Sequence, residues 1–243
     1  MSRKPFQHKI ERSNSSHAIL ETASRKRKAA KIQALLDEAT EFSKATVLDI
    51  GTGSGDIAYE LAKSAAKVVS VDIVDERKQK TGYKFKLTKD ENLPFGDNFF
   101  DIVITNHVVE HTPNQKKHLS EVMRVLKPGG YVYIATPNKY WLTDPHYKLP
   151  FISWLPRKVS NFYLRLFQKT DWDIYPLSSR KLKKLFGSKA EVTNALPILL
   201  TTKAVQKLDM WKSAAVIARF APKSLLNLSQ YISPTLIHIV RKQ

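Results

Sequence analysis

The stretch Val47-Leu48-Asp49-Ile50-Gly51-Thr52-Gly53-Ser54-Gly55-Asp56-Ile57-Ala58 reads as a short β-rich run, a glycine cluster and the start of a helix. Glycine lets the chain turn tightly and lets a ligand approach the backbone, while a helix start offers unpaired N–H groups to an anion such as a carboxylate. Asp72 ends the next apolar, β-branched run, Val68 to Asp72, 21 residues after Gly51. A carboxylate there can accept both hydroxyls of a ribose, at the spacing of nucleoside-binding folds.

Working outward, strand and helix patterns alternate. Asp56 to Ala66 reads as a helix, Tyr83 to Leu87 as a weaker strand, Ile102 to Thr105 as a buried strand and Gln115 to Leu126 as a helix. A strand at Tyr131 to Ala135, a helix at Ser178 to Phe186 and strands at Ala190 to Ala195 and Thr235 to Arg241 follow. This order predicts an α/β, Rossmann-like fold, a seven-stranded mostly parallel sheet with helices on both faces. Residues 1–243 are expected to make a single domain, a length that buries a full core. Its parts are a basic N-terminal arm and helices (1–44), a ligand-binding core (45–138), an aromatic-rich lid insertion (139–176), and a helix and strands (177–243) completing the same sheet. Up to Ser16 the arm reads as mobile; Ile19, Leu20, Ala23, Ala30, Ile32, Leu35, Leu36 and Ala39 then suit one or two amphipathic helices.

The chain has no cysteine, which excludes disulfides, thiolate metal sites and every mechanism built on a sulfur nucleophile. Its net charge is +18, unevenly placed: Lys+Arg against Asp+Glu is 12 to 12 over residues 45–138, 10 to 5 over 1–44 and 18 to 5 over 139–243. Such flanks imply an anionic partner (a nucleic acid, a phospholipid surface or a phosphate-bearing molecule) or else a solvated basic surface. The run Ser24-Arg25-Lys26-Arg27-Lys28 reads first as the wet face of a helix and second as a localisation or phosphate-binding signal. No apolar run approaches the ~20 residues of a spanning helix. The basic Met1 to Pro5 start leads into no apolar signal core, so the expected location is cytoplasmic, with a peripheral place at the inner face of the membrane as the alternative.

A nicotinamide-binding domain would share a glycine loop and a downstream acid. Here the spacing is Gly-x-Gly-x-Gly, and Asp49 stands where a pyrophosphate would be repelled but a methionine ammonium attracted. In this the sequence resembles the class I S-adenosylmethionine-dependent methyltransferases, and more narrowly those acting on small molecules, lipids and glycans, quinone-biosynthesis enzymes among them. Glu91 to Val103 with Leu93-Pro94-Phe95 looks like the family's entry to its fourth strand, Asn106-His107-Val108-Val109-Glu110-His111 like the loop facing the methyl group, and Val122 to Tyr131 with Leu126-Lys127-Pro128-Gly129-Gly130 like the helix, turn and strand beyond.

The resemblance implies S-adenosylmethionine as cofactor, held by Asp49, Gly51, Thr52, Gly53 and Gly55 at the amino-acid end, Asp72 and Ile73 at the ribose and Asn106 at the methyl side. Adenine is usually held by an Asp that is Lys89 here, leaving Asp90, one place along, or backbone near Glu91. An alcohol or phenol acceptor needs a base, and His111 is the first choice and His107 the second; a structural histidine bonded to loop backbone is the alternative for both. His107-x-x-Glu110-His111, with His146, also resembles a metal-binding Glu-x-x-Glu-His pattern, but its first acid is missing and no metal is expected.

The insertion supplies candidate acceptor-binding residues Tyr140, His146 and Trp154, and the stretch Asp144 to Pro156 resembles inserts of glycan and lipid-pathway methyltransferases. From Pro156 a helix would align Val159, Phe162, Tyr163, Leu166 and Phe167 on one face with Arg157, Lys158, Arg165 and Lys169 elsewhere. That pattern suits an interfacial helix at an anionic membrane, and equally a lid helix packed over the site, the commoner use of such a stripe. Trp211 to Leu228 reads as a second such surface.

The implied activity is O-methylation of a small-molecule acceptor: a sugar, a lipid-linked glycan or an isoprenoid or quinone-type compound. A nucleic-acid methyltransferase is the first rival; against it, Asn106 precedes His107-Val108-Val109 and not a Pro-Pro-aromatic run, and the thiolate class needs a cysteine. A non-catalytic interaction module is the second, disfavoured by the complete glycine loop. The sequence leaves the oligomeric state open.

Overall fold

A computed structural model of the chain describes residues 15–168, 172–201 and 221–243. Seven strands, β1 (Thr46–Ile50), β2 (Lys67–Asp72), β3 (Lys84–Leu87), β4 (Phe100–Asn106), β5 (Leu126–Pro137), β6 (Ala190–Asn194) and β7 (Thr235–Lys242), form one sheet in the order β3-β2-β1-β4-β5-β7-β6. The first five are parallel, and β7 runs antiparallel between β5 and β6. The order reverses between β1 and β4. Connections leaving their carboxyl ends therefore diverge to opposite faces and open a crevice there.

Alternate side chains fill two cores. Val47, Val68, Ile102, Ile104, Tyr133, Ala135, Ile237 and Ile239 meet α1 (Ser15–Asp37) and α2 (Asp56–Leu61), which contribute Ile32, Leu35, Leu36, Ile57 and Leu61. Leu48, Ile50, Val69, Val71, Val103, Val132, Ile134 and Val240 meet α3 (Gln115–Val125) on the other face, together with Leu182 and Phe186 from α5 (Ser179–Phe186). Each fully buried aliphatic side chain contributes roughly 1.5–3 kcal/mol, so a one-residue slip in β1 or β4 would exchange both cores at once. The same alternation has a consequence for the site: Asp49 shares the α1 face with Val47.

Two element boundaries differ from the sequence reading by more than two residues. The helix expected to run to Ala66 stops at Leu61, because Lys67 N must reach Ala45 O at 3.3 Å to begin β2 beside β1. The turn expected at Lys127 to Gly130 lies inside β5, whose pairing with β4 shifts register between Phe100 and Ile102. Gly129 takes φ +76°, and a Cβ on Gly130 would sit 2.8 Å from Asp101 O, so this bulge requires both glycines.

The insertion leaves β5 at Asn138 and returns at Leu177, where Lys139 N donates to Leu177 O at 2.9 Å. It carries α4 (Arg157–Gln168) and its own small core of Tyr147, Ile152, Leu164, Trp172 and Ile174. Asp144, buried, organises its first turn by accepting from His146 N and Tyr147 N, each at 2.9 Å, and from Ser153 Oγ at 3.2 Å. Among the described residues, three short helices, α6 (Leu196–Thr201), α7 (Lys223–Asn227) and α8 (Ser229–Ile232), precede β7. Residues 1–14 of the expected arm and most of the second surface read at Trp211 to Leu228 lie outside the described residues.

Candidate active site

The cofactor candidates fall at the carboxyl ends of β1 to β4, in the last residues of the strands or in the loops that follow them. Gly51, Gly53 and Gly55 each take positive φ, 71°, 53° and 79°. Their surroundings differ. A Cβ on Gly51 would lie 2.4 Å from Val108 Cγ2, and one on Gly55 would meet Tyr83 Oη and Gln79 O at 2.1 and 2.6 Å. At Gly53 nothing lies within 4 Å, so its backbone faces open space. Val108 on Gly51 also shows that the loop carrying His107 and His111 rests directly on the glycine loop.

Asp72 locks the arrangement. Its Oδ2 accepts from Gly53 N at 2.8 Å and its Oδ1 from Ile73 N at 2.7 Å. Each oxygen keeps a further lone pair, so the carboxylate is oriented at the crevice edge and still able to accept. Ile73 and Val74 beside it are exposed, an apolar rim suited to a flat ring.

The floor of the loop is polar and unsatisfied. Asp49 Oδ2 and Thr52 Oγ1 are buried with no hydrogen-bond partner among the described residues. Burial pushes the Asp49 carboxyl up to about 7; the Thr52 hydroxyl, near it but outside hydrogen-bond geometry, and Arg25 pull the other way, and Asp72 adds to the rise. A buried carboxylate oxygen without a partner is costly to keep and matches a cationic ligand group that would complete it. The sequence reading places Arg25 in a wet basic run. Instead its Nε lies 3.8 Å from Asp56 Oδ2, and Asp56 also accepts from Ser54 Oγ at 2.6 Å. The helical spacing of Arg25 with Ala29, Ile32 and Leu36 carries that signal: the three apolar residues are buried, so Arg25 points toward the same face.

Asp90 and Glu91 are held differently. Thr88 N donates to Asp72 O at 2.9 Å, which brings their loop beside the ribose candidate. Both Asp90 oxygens nonetheless accept from Asn92, at 2.7 Å (N) and 2.9 Å (Nδ2), and Glu91 faces Lys117 Nζ at 4.0 Å. The Asp90 carboxylate thus closes its own turn.

Asn106 ends β4, half-buried, and His107 follows with φ 59° and N donating to Ala135 O at 2.8 Å. The His107 ring is tied through Nδ1 to Glu110 Oε1 at 3.1 Å, while Glu110 Oε2 accepts from Thr136 Oγ1 at 3.0 Å. Glu110 is fully buried. Burial pushes its carboxyl up, but the bond and charge of His107 outweigh that and leave it below the usual range. His107 is thereby held by a carboxylate and not by loop backbone.

His111 lies at the rim, its ring edge-on to His146 at 5.1 Å between centroids. Partial desolvation by its neighbours holds its pKa below 6.5, with His146 and His107 adding to the fall and Glu110 and Asp173 opposing it. It is therefore neutral at pH 7 and able to accept a proton. Glu110, His111 and His146 bring one ligand-type atom each within 4.8 Å of the others. In that grouping the Glu110 oxygens also pair with His107 Nδ1 and accept from Thr136 Oγ1.

The insertion is bolted to this loop by residues the sequence reading does not single out. Tyr175 N donates to Glu110 O at 2.7 Å, and Gln115 Nε2 donates to Tyr175 O at 2.6 Å and Val109 O at 3.2 Å. Asp173 accepts from the Tyr147 hydroxyl. Among the acceptor-binding candidates, only His146 meets the catalytic candidates. Tyr140 is exposed with its N held by Asn138 Oδ1 at 3.1 Å, and Trp154 packs edge-on to Phe151 and donates to Trp141 O at 3.3 Å.

A family model described as a methyltransferase domain matches residues 20–186. The chain is 32% identical over 130 residues to the ubiquinone/menaquinone biosynthesis C-methyltransferase of Cupriavidus pinatubonensis, covering 47% of this chain and 54% of that protein. It is 28% identical over 131 residues to the ubiquinone biosynthesis O-methyltransferase of Parvibaculum lavamentivorans, covering 48% and 51%. The chain thus spans about half the length of these curated relatives. Among solved structures, the S-adenosylmethionine-dependent methyltransferase of Mesorhizobium loti superposes with a TM-score of 0.57 at 15% identity, covering 88% of this chain and 98% of that one. Phosphoethanolamine N-methyltransferase 1 of Haemonchus contortus, in complex with phosphoethanolamine and S-adenosylhomocysteine, gives 0.56 at 14% identity, covering 92% and 43%. These likenesses show the fold.

Proposed function

The chain belongs to the methyltransferase domain family, and from that premise we propose that it transfers a methyl group from S-adenosylmethionine to a hydroxyl oxygen of an isoprenoid or quinone-type acceptor. The observation that carries this reading is the pair of buried, partnerless atoms Asp49 Oδ2 and Thr52 Oγ1 beneath the open backbone of Gly53. They fit an amino-acid ammonium. Arg25 brings positive charge to the same corner, suited to a carboxylate, and Asp72 keeps an acceptor on each oxygen for two vicinal hydroxyls. Ile73 and Val74 offer an apolar bed for adenine.

When bound, S-adenosylmethionine supplies an electrophilic methyl on a sulfonium, open to in-line displacement. His111 takes the proton from the acceptor hydroxyl. His107, held by Glu110, orients the acceptor from the opposite end of the same short loop. The insertion, fastened at Tyr175, excludes water from the reacting pair. A quinone-type acceptor is favoured by the ubiquinone and menaquinone methyltransferases among the relatives, and by the aromatic side chains that the insertion presents. Incubation with tritium-labelled S-adenosylmethionine and separated pools of hydroxylated isoprenoid quinols, lipid-linked sugars and RNA tests the reading. Label is expected in the quinol pool; label in RNA alone would overturn it.

A further inference from the structure

We propose that the outer face of α4 is a docking surface for an anionic lipid bilayer. The sequence shows only that Val159, Phe162, Tyr163, Leu166 and Phe167 share a stripe; the structure shows which way it points. Val159, Phe162, Leu166 and Phe167 are 46, 65, 64 and 64% exposed, whereas Ser160 and Leu164 on the opposite side are fully buried. Leu164 and part of Tyr163 pack on the insertion core, but the other four apolar residues of α4 face outward, the reverse of the share an ordinary surface helix buries.

The inversion is held in place by polar side chains. Ser160 Oγ donates to Ile152 O at 3.0 Å, Arg157 Nη2 donates to Trp172 O at 2.7 Å, and Asn161 Oδ1 accepts from Trp172 N at 2.9 Å. Three polar residues of α4 thus fasten it inward, and rolling the apolar stripe onto the body would break all three bonds. The exposure is also concentrated: of sixteen exposed large apolar side chains among the described residues, eight lie in the insertion, with Tyr140, Leu142, Phe151 and Trp154 joining the four on α4.

Charge selects the occupant. Lys158 and Arg165, both exposed, flank the stripe along one side, within a segment of 139–243 that carries 18 basic against 5 acidic residues. A second copy seated on the stripe would gather two sets of these basic residues at one interface with no acidic residue of α4 to offset them, which disfavours it. A negatively charged interface accepts both components: the rings and Leu166 enter the acyl boundary and the cations lie at headgroup level. The helix belongs to the segment that ends in Tyr175 on the Glu110 loop, so docking there ties that loop to the surface from which, on the proposed function, an isoprenoid acceptor would come.

The test is co-sedimentation of the full chain with phosphatidylcholine vesicles and with phosphatidylcholine–phosphatidylglycerol vesicles, at about 0.05 M and about 0.5 M NaCl. The parent should bind the anionic vesicles at least about tenfold more strongly than the neutral ones, and high salt should weaken that several-fold. The double variant Phe162→Glu/Leu166→Glu should lose at least about tenfold of the anionic binding while keeping the parent's unfolding temperature and its affinity for S-adenosylhomocysteine. As a measurement that leaves the charge intact, Phe162→Trp should shift its emission to the blue on anionic vesicles. Equal sedimentation of parent and double variant, or no shift, would overturn the proposal. So would a concentration-dependent dimer in analytical ultracentrifugation that the double variant abolishes, since the face would then belong to a second copy. Failure of the parent to bind S-adenosylhomocysteine would strike the methyltransferase reading and leave this one standing.

Discussion

Replacing Asp49 by Asn should make the ligand-free protein more stable and the cofactor bind worse. The carboxyl is buried and its pKa is raised to about 7 from 3.8, chiefly by burial. The sign follows from linkage. Between those two values the unfolded chain has released the proton while the folded chain retains it, so stability falls as pH rises from about 4 and levels off above about 7. The difference of about three units, at ~1.4 kcal/mol each, makes the parent at most about 4 kcal/mol less stable above pH 7 than a chain with a neutral group there. Asn removes that dependence, so the gain is near zero at pH 4 and reaches several kcal/mol at pH 8, on the order of 10 °C in melting temperature. Scanning calorimetry of parent and variant across that range measures it, and titration with S-adenosylhomocysteine should show at least a tenfold weaker complex, as for a lost charge-assisted bond of about 1.5–3 kcal/mol. A variant no more stable than the parent at pH 8, or one whose gain is the same at pH 4, would refute the argument that this acid is held at a cost for the ligand.

Other substitutions separate the roles. Asp72→Ala removes the acceptor for Gly53 N and Ile73 N and should weaken cofactor binding at least about tenfold in calorimetry, with charged hydrogen bonds worth about 1.5–3 kcal/mol each; unchanged affinity would remove Asp72 from the site. His111→Ala should lower kcat by about 10²–10⁴ with cofactor affinity retained. With neutral His111 as the proposed base and burial lowering its pKa from the ordinary 6.5, the parent's kcat/KM should fall as pH drops below that value; a rate that rises about tenfold from pH 7 to 8 would point to another base. Chelation by EDTA should leave turnover unchanged, since in-line displacement at a sulfonium with His111 as the proposed base calls for no metal; loss of activity restored by a divalent cation would instead make Glu110, His111 and His146 a metal site.

The central strands were legible because their signal is local. β1 and β2 are β-branched runs ended by Gly51 and Asp72, and a two-residue period assigns their faces without knowledge of the partner strands. Boundaries fared worse where a distant residue decides them: α2 ends where β2 must pair with β1, and Lys127 to Gly130 joins β5 because Asp101 O approaches Gly130. The turn at the glycines and the place of Asp72 at the end of β2 were readable from spacing alone. Arg25 was hidden in a basic run, although its register with Ala29, Ile32 and Leu36 pointed inward. The role of Glu110 could not be read locally, since its second partner, Thr136, comes from the next strand. For α4, amphipathicity defines a stripe but not the direction it faces; that depends on Ser160, Asn161 and Arg157 finding partners at Ile152 and Trp172.

The account rests on the crevice between β1 and β4 accepting an adenosyl amino acid, and one titration tests it most directly. Calorimetry of the full chain with S-adenosylhomocysteine should give saturable one-to-one binding that Asp49→Asn and Asp72→Ala each weaken. Absence of binding by the parent, or binding indifferent to both substitutions, would contradict it.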